Sequence, residues 1–218
     1  MREQVIQTIL EQKIIVVLRG TRVDEAVAAA RALSAGGIRL IEVTFDQRDP
    51  ASFPETARAI RTIRETLGDR VLVGAGTVLT PAQVELAHDA GAEYIISPDA
   101  DPSVIARTRA LGLVSIPGAY TAGEARRAYD DGADFVKLFP CVGDAAAYLE
   151  KLCAPLNFIR FLAVGGVTAE NCADFFRAGA VGIAVSGPLL KRAWLDAGDY
   201  DQITAAAQHL ITAVRQAT

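Results

Sequence analysis

Short apolar runs that follow a glycine recur along the chain, and they predict buried strands. Glycine suits the left-handed position at the end of a helix because it lacks a Cβ atom. The runs show little alternation of polar and apolar residues, which is typical of parallel strands buried on both faces. The glycines that precede such runs are Gly37, Gly91, Gly112, Gly132 and Gly179. Each of them marks the passage from a helix to a strand.

The spacing of these glycines predicts eight strands. Gly91, Gly112 and Gly132 are separated by 21 and then 20 residues, the length of one strand–helix unit. The interval of 54 residues before Gly91 and that of 47 residues after Gly132 each have room for two units. Further apolar runs fill these gaps and precede the series. The predicted strands are 13–18, 38–45, 70–76, 93–98, 113–117, 134–139, 160–166 and 181–186.

Helix-start signals fall between these strands. Thr80 and Thr121 have capping-box spacing to Gln83 and Glu124, and a proline follows Thr80 directly, where a missing N–H costs nothing. The predicted helices are 2–11, 22–35, 53–67, 81–90, 102–111, 121–131, 144–153, 169–178 and 200–216. The alternation predicts an α/β fold, a closed (β/α)8 TIM barrel with an extra N-terminal helix. An open doubly wound sheet is the alternative, although no glycine-rich nucleotide signature follows a strand.

Composition narrows the class of protein. No linker divides the 218 residues, so one domain over 1–218 is predicted; 51% of the residues are hydrophobic and 22% charged, ordinary for a domain with a large core. A net charge of −4 gives no general attraction to nucleic acid or an anionic membrane. No signal-peptide pattern opens the chain, and no apolar run approaches the ~18 residues that span a bilayer. Together with three unpaired-looking cysteines, these features predict a cytoplasmic protein.

Metal and cofactor binding are not expected. The only histidines, His88 and His209, fall in predicted helices and have no partner at ligand spacing. Cys141, Cys153 and Cys172 form no CxxC pair. Any electron sink must then be an amine.

Lys137 stands out among the four lysines because it alone lies in the middle of an apolar strand. Burial favours the neutral amine, which is a nucleophile toward carbonyl groups. The alternative is a lysine that pairs with a carboxylate inside the barrel and only holds strands together.

Glu42 is the second anomaly, since it lies on the same side of its strand as Ile38, Leu40 and Thr44. A carboxylate among apolar neighbours is costly unless it is paired or protonated. A Lys–Glu pair in one cavity suits proton transfer around a Schiff base. A plain ion pair without turnover remains the alternative.

Glycine-rich strand ends offer backbone N–H groups. The run from Gly74 to Thr77 ends the third predicted strand, Gly165 and Gly166 end the seventh, and Ser186 ends the eighth. The loops after strands seven and eight bind phosphate in many barrels, so an anion site is expected there.

These strand ends together resemble the 2-keto-3-deoxy-6-phosphogluconate (KDPG) and 4-hydroxy-2-oxoglutarate (KHG) aldolase family, which includes the phosphogalactonate (KDPGal) aldolases. The resemblance extends from Val16 to the final helix. The motifs are IEVT at 41–44, VGAGTVL at 73–79, ISP at 96–98, IPG at 116–118, FVKLFP at 135–140 and VGGV at 164–167.

The resemblance implies a homotrimeric class I aldolase that releases pyruvate from a 2-keto acid. Lys137 would form the Schiff base and Glu42 would be the general acid/base. Thr77 would hold the pyruvyl carboxylate, Pro98 and Phe139 would form walls, and the distal phosphate or carboxylate would bind to Gly165 and Gly166.

Some positions depart from the gluconate-type pattern. Asp46 replaces an arginine, so Arg19 is expected to supply the positive charge, and Val164 replaces a threonine, as in the galactonate type. The family's serine after the last strand aligns with Gly187, preceded by Ser186, and the loop 140–145 is also unusual. The sugar acid and the need for phosphate stay open.

Three functions follow from the residues and the resemblance. The first is retro-aldol cleavage of a 2-keto-3-deoxy-6-phospho sugar acid, or of 4-hydroxy-2-oxoglutarate, to pyruvate and an aldehyde such as glyceraldehyde 3-phosphate. The second is another phosphate-binding barrel, such as an epimerase. The third is a barrel that binds a keto acid without turning it over.

Overall fold

The computed structural model describes residues 2–218, which form alternating strands and helices. The helices are α1 (Arg2–Gln12), α2 (Val23–Ala35), α3 (Phe53–Leu67), α4 (Pro81–Asp89), α5 (Pro102–Ala110), α6 (Ala122–Asp130), α7 (Ala145–Cys153), α8 (Cys172–Arg177), α9 (Arg192–Ala197) and α10 (Tyr200–Ala217). The strand segments are β1 (Ile14–Leu18), β2 (Leu40–Thr44), β3 (Leu72–Gly76), β4 (Tyr94–Ile96), β5 (Val114–Ile116), β6 (Gly118–Ala119), β7 (Val136–Leu138), β8 (Phe161–Val164) and β9 (Gly182–Val185). Short 3-10 turns cover Pro50–Ser52 and Gly68–Arg70.

All paired strands are parallel, in the order β5-β4-β3-β2-β1-β9-β8-β7-β6. The two ends of this order, β5 and β6, are halves of one strand that is interrupted at Pro117, which has no N–H to donate. The Pro117 carbonyl accepts from the N–H of Lys137 at 2.8 Å, so the chain itself joins the two ends. The barrel prediction is confirmed, and the open sheet is excluded.

Most predicted boundaries agree with the structure to within a few residues, and the differences have local causes. The predicted fifth strand ends at Pro117, whereas strand pairing resumes beyond it as β6, and α8 begins at Cys172 rather than 169. Helix α9 was not predicted, because only Leu195 among its residues is buried and no apolar periodicity marks it. Around Thr121 both halves of the capping box form, whereas the Gln83 side chain accepts from the N–H of Leu79, one residue before Thr80.

Two apolar clusters share the core. The larger lies between the barrel and the surrounding helices, and the smaller fills the barrel interior. Val5, Ile6 and Ile9 of α1 belong to the interior cluster, so the extra helix covers the amino end of the barrel. This leaves the carboxyl end of the strands as the open end. None of the helices within 2–218 has the length and apolarity to cross a membrane.

Candidate active site

Lys137 points into the barrel from β7 and is only 5% exposed. Its Nζ atom lies 4.4 Å from the centre of the Phe139 ring, which accepts a cation on its face. Burial lowers the pKa of Lys137, the Glu42 charge opposes this shift, and the Arg19 charge adds to it. A larger fraction of the Lys137 side chain is therefore in the neutral amine form than for an exposed lysine at the same pH.

Glu42 lies in the middle of β2 and is 2% exposed. Its side chain leans over Gly76 of β3: a Cβ atom at that glycine would lie 1.7 Å from Glu42 Oε1. Only glycine at 76 leaves room for this carboxylate. Burial raises the pKa of Glu42, and the positive charges of Lys137 and Arg19 partly offset the rise.

The two side chains face one interior from different walls. Glu42 is in register with Val17 and Gly74, and Lys137 with Gly118 and Leu162. Both residues are described, and no nitrogen–oxygen contact within 4.0 Å joins them. The plain Glu42–Lys137 ion pair is therefore not formed, and both groups remain free to meet a ligand.

A cavity of about 390 Å³ opens beside the two groups, and we call it the Lys137 cavity. Glycine-rich turns after β8 and β9 form much of its wall. Its lining comprises Val17, Arg19, Glu42, Lys137, Phe139, Val164, Gly165, Gly166, Val167, Thr168, Ala184, Val185, Ser186, Gly187 and Pro188. Seven of the nine predicted site residues thus meet at one cavity: Lys137, Glu42, Arg19, Phe139, Gly165, Gly166 and Ser186.

The turn after β8 has a conformation that requires glycine. Gly165 and Gly166 have φ values of +87° and +75°, and a Cβ atom at Gly166 would lie 2.4 Å from the Cys141 carbonyl oxygen. The Asn171 side chain donates to the Gly166 carbonyl at 2.9 Å and accepts from the N–H of Thr168 at 2.8 Å. The turn is therefore held in one shape beside the cavity.

Ser186 and Arg19 differ in how they face the Lys137 cavity. The Ser186 hydroxyl donates to the Val17 carbonyl at 2.7 Å, so its only hydrogen is already used within the protein. Arg19 follows β1 and is exposed. Its charge is the second positive charge at this cavity.

Thr77 and Pro98 are the two predicted site residues outside the lining of the Lys137 cavity. Thr77 has φ +55°, uncommon for a β-branched residue, and Gln47 holds it by donating to its carbonyl at 2.5 Å. Pro98 lines a neighbouring cavity of about 430 Å³. Phe139 belongs to both cavities and forms the wall between them.

Asp46 lies outside the Lys137 cavity, in a larger groove of about 890 Å³ between α2 and α3. Its carboxylate is paired with Arg48 at 3.0 Å, and this hydrogen-bonded partner lowers the pKa of Asp46. Asp46 therefore places no unpaired anion among the residues that line the Lys137 cavity.

Thr168 is a polar lining residue that the sequence analysis missed. It follows the Gly165–Gly166 turn and is partly buried; its hydroxyl accepts from the N–H of Glu170 at 3.2 Å. A hydroxyl two residues after a glycine turn at a strand end was the available signal. Cys141, Cys153 and Cys172 are free, as predicted.

A buried amine and a buried carboxylate at the open end of a barrel are typical of a barrel enzyme that acts on carbonyl compounds. Comparison with known proteins places it further: the sequence model described as "KDPG and KHG aldolase" matches residues 5–206. The chain belongs to the KDPG and KHG aldolase family, and it is a lyase of this type.

Individual relatives agree with this assignment. The 2-dehydro-3-deoxy-phosphogluconate aldolase of Treponema pallidum (strain Nichols) is 38% identical over 93% of both chains. The 2-dehydro-3-deoxy-6-phosphogalactonate aldolase of Escherichia coli (strain K12) is 36% identical over 82% of this chain and 84% of its own. A solved KDPGal structure has a TM-score of 0.84 and 33% identity, covering 94% of this chain and 95% of its own. The prediction of this family is confirmed.

Proposed function

We propose that this aldolase cleaves a 2-keto-3-deoxy-6-phospho sugar acid, or 4-hydroxy-2-oxoglutarate, through a Schiff base on Lys137. The products are pyruvate and an aldehyde such as glyceraldehyde 3-phosphate. The observation that carries the proposal is the buried Lys137 amine, which lacks an ion-pair partner within 4.0 Å and lies beside Glu42 in an open cavity.

The Lys137 nitrogen attacks the C2 carbonyl carbon of the keto acid, and loss of water from the carbinolamine gives an iminium ion. This step needs the neutral amine, which burial of Lys137 favours. When the C3–C4 bond breaks, its electron pair moves to C3 and is delocalised onto the iminium nitrogen as an enamine. Protonation at C3 and hydrolysis then release pyruvate and restore the lysine.

Glu42 is the proton carrier in this scheme. Its carboxylate takes the proton of the C4 hydroxyl as the aldehyde forms, directly or through a water molecule. Burial raises the pKa of Glu42 toward the range in which a carboxyl group both accepts and returns a proton near neutral pH. The proton can then be returned to C3 of the enamine.

The far end of the substrate is assigned to the turns after β8 and β9. Gly165 and Gly166 allow close approach to backbone groups, and Arg19 brings a positive charge to the same cavity. The Ser186 hydroxyl would have to rotate away from the Val17 carbonyl before it donated to a phosphate. We therefore assign Ser186 a weaker share in binding than Arg19.

Thr77, Pro98 and Phe139 are assigned to the pyruvyl end. The left-handed backbone of Thr77 is the kind of strained position that surrounding contacts must maintain, and Gln47 supplies one such contact. Phe139 packs against the Lys137 amine and forms a wall of the cavity. Pro98 lines the neighbouring cavity, so it would support the Phe139 wall from behind and not contact the Lys137 cavity itself.

The test uses pyruvate and borohydride. Reduction of the imine is expected to leave a covalent adduct on Lys137, located by peptide mass spectrometry. Lys137→Met should abolish the label, whereas Lys151→Met, on an exposed helix position, should keep it. No adduct on the unmodified protein would leave an epimerase-like barrel, and an adduct without cleavage of any tested acid would leave a barrel that only binds keto acids.

Substrate choice is tested by comparing the gluconate and galactonate C4 epimers with 4-hydroxy-2-oxoglutarate. Val164 lines the Lys137 cavity and has no hydroxyl with which to read one epimer, so relaxed or galactonate-leaning preference is expected. Val164→Thr should then shift the kcat/KM ratio toward the gluconate epimer. An unchanged ratio would contradict this assignment.

We further propose that residues 1–218 act as one catalytic domain in a cytoplasmic homotrimer. Free cysteines support a reducing compartment. Exposed aromatic side chains, among them Tyr120, Tyr129 and Phe158, support burial of surface between copies. Light scattering should give three times the mass of the chain, and a monomer mass would contradict the assembly.

A further inference from the structure

Only three side chains on the nine strand segments are ionisable: Glu42, Lys137 and Tyr94. The proposed reaction uses the first two. Tyr94 opens β4 and belongs to the apolar cluster that fills the barrel interior. A phenol in that cluster brings one polar atom into an otherwise apolar layer.

The Tyr94 ring lies across a glycine. A Cβ atom at Gly74, its partner in register on β3, would lie 2.1 to 2.6 Å from three ring atoms, so the ring occupies the space that a side chain would fill. Tyr94 is 0% exposed, and its hydroxyl has no hydrogen-bond partner. Burial raises the pKa of Tyr94, the charges of Glu42 and Glu93 raise it further, and the Gly74 main chain, which is outside hydrogen-bond geometry, opposes this rise least. A buried hydroxyl without a partner is costly and calls for an explanation.

Glu42 lies on β2, across β3 from Tyr94. It is the register partner of Gly74 on the other side of β3, and its carboxylate leans over Gly76. The two glycines are two residues apart on one face, about 7 Å along the strand. The Tyr94 ring and the Glu42 carboxylate thus lie over neighbouring glycines in a stretch of β3 that has no side chains on its inner face.

We propose that the Tyr94 hydroxyl donates a hydrogen bond to the Glu42 carboxylate when the Glu42 side chain turns from Gly76 toward Gly74, and that Tyr94 is a positioning residue for the reaction. The proposal rests on the function assigned above to Glu42. Tyr94 is not among the lining residues of the Lys137 cavity, so it acts on the Glu42 carboxylate from the barrel interior and does not contact the substrate.

A donor at this place has a defined effect on ionisation. Lys137 on β7 and Arg19 after β1 are the charged groups that lower the pKa of Glu42, and burial raises it. No other strand around the barrel carries an ionisable group. A hydrogen bond from Tyr94 stabilises the carboxylate form, so its loss raises the pKa of Glu42.

The test is Tyr94→Phe, which keeps the ring over Gly74 and removes only the hydroxyl. Because Lys137 is already an imine in the bound complex, the acidic limb of kcat reports Glu42. We expect this limb to move up by about one pH unit, with kcat several-fold lower near neutral pH and KM unchanged. Tyr200→Phe, the same change at a partly buried position at the start of α10 and outside the Lys137 cavity, should leave kcat, KM and the limb where they are.

Two further measurements separate this role from packing and from the proposed function. The borohydride adduct with pyruvate should form as readily on Tyr94→Phe as on the unmodified protein, and carbon-13 NMR of the Glu42 carboxyl should show the raised pKa directly. If the acidic limb of kcat and the Glu42 titration of Tyr94→Phe coincide with those of the unmodified protein while the adduct still forms, the role of Tyr94 alone is overturned. No adduct on the unmodified protein would overturn the proposed function and this inference with it.

Discussion

Asp134 and Lys137 lie three residues apart, before and within β7; the side chain of Asp134 is 5% exposed, and so is Lys137 taken as a whole residue. Asp134, at the amino end of the barrel, is ion-paired with Arg2 of α1 and with Arg109 of α5 at 3.2 Å. It also accepts from the N–H of Ser115 at 3.0 Å. Lys137, at the open end, has no carboxylate within 4.0 Å.

The presence of ion-pair partners at Asp134 and their absence at Lys137 distinguish a charged group that stabilises the fold from one that is available for chemistry. A buried ion with partners on three elements ties those elements together, and removing it leaves the partners unpaired. A buried ion without a partner costs stability, and its presence is explained when a ligand becomes the partner. Burial alone therefore does not distinguish a catalytic residue from a structural one, whereas burial without a partner beside a cavity is the pattern expected of a catalytic residue.

The largest effect is expected for Lys137→Met, which should abolish the pyruvate adduct and cleavage while the protein becomes more stable. Removing a desolvated amine is expected to raise the free energy of unfolding by about 1–4 kcal/mol. The measurement compares the free energies of unfolding of Glu42→Gln and of the double variant Glu42→Gln/Lys137→Met by chemical denaturation. Both variants lack the Glu42 carboxylate, so the comparison does not include the cost of leaving that carboxylate without the nearby positive charge of Lys137. A double variant that is less stable would show that Lys137 supports the fold.

The pH dependence of this stability difference has a definite sign. Because burial lowers the pKa of Lys137 from 10.5, the folded state prefers the neutral amine. The cost of the lysine is full below its folded pKa and disappears as the pH rises from there toward 10.5. The advantage of the methionine variant should shrink over the same window, and an advantage that grew with pH would contradict the lowered pKa.

Glu42→Gln alone should have the next largest effect, on turnover. A general acid/base contributes about 10²–10⁴-fold, so kcat should fall by that order while borohydride still traps some imine on Lys137. Single-turnover cleavage and adduct formation measured on one sample separate the two steps. Loss of both in equal measure would place Glu42 in imine formation as well.

Asp134→Asn should change stability and leave catalysis as it is. Asparagine keeps an acceptor for the Ser115 N–H but loses the charge that faces Arg2 and Arg109, so a loss of about 1–3 kcal/mol is expected. Asp130→Asn, in an exposed pair with Arg126, is the matched control and should change little. A fall in kcat for Asp134→Asn at a temperature where the variant stays folded would contradict the purely structural role of Asp134.

Sequence patterns predicted the barrel because glycine spacing and buried runs are local signals. They missed β6, since the predicted fifth strand ends at Pro117 and the glycine and alanine that follow carry no strand signal, and they missed α9, which lacks periodicity. Lys137 and Glu42 were found because charge in an apolar run is rare. Tyr94 was not, because an aromatic residue in a buried strand is ordinary core, and only the structure reveals that its hydroxyl has no partner.

The positions of Thr77 and Pro98 depend on geometry that strand patterns do not contain. Both follow strand ends, as Phe139 does, but the Phe139 ring stands between the two cavities and separates Pro98 from the amine. Their assignment to the site rests on the family resemblance, and it stays a prediction. At position 46 the sequence indicated only a missing arginine, and the structure shows that the Asp46 carboxylate is paired with Arg48 outside the lining of the Lys137 cavity.

Apart from its share in substrate binding, Arg19→Gln is expected to have the smallest effect on kcat, a shift along the pH axis rather than a loss. The Arg19 charge lowers the pKa of both Lys137 and Glu42, in each case less than burial changes it. Without it both pKa values rise, so the onset of imine formation and the acidic limb of kcat should each move up by a few tenths of a pH unit, less at high salt, because exposed charges are screened. Stopped-flow imine formation and steady-state kcat across pH measure the two limbs, with Arg31→Gln, on α2 outside the Lys137 cavity, as the control. Limbs that move in opposite directions, or that move equally in the control, would mean that Arg19 does not act on the open end through its charge.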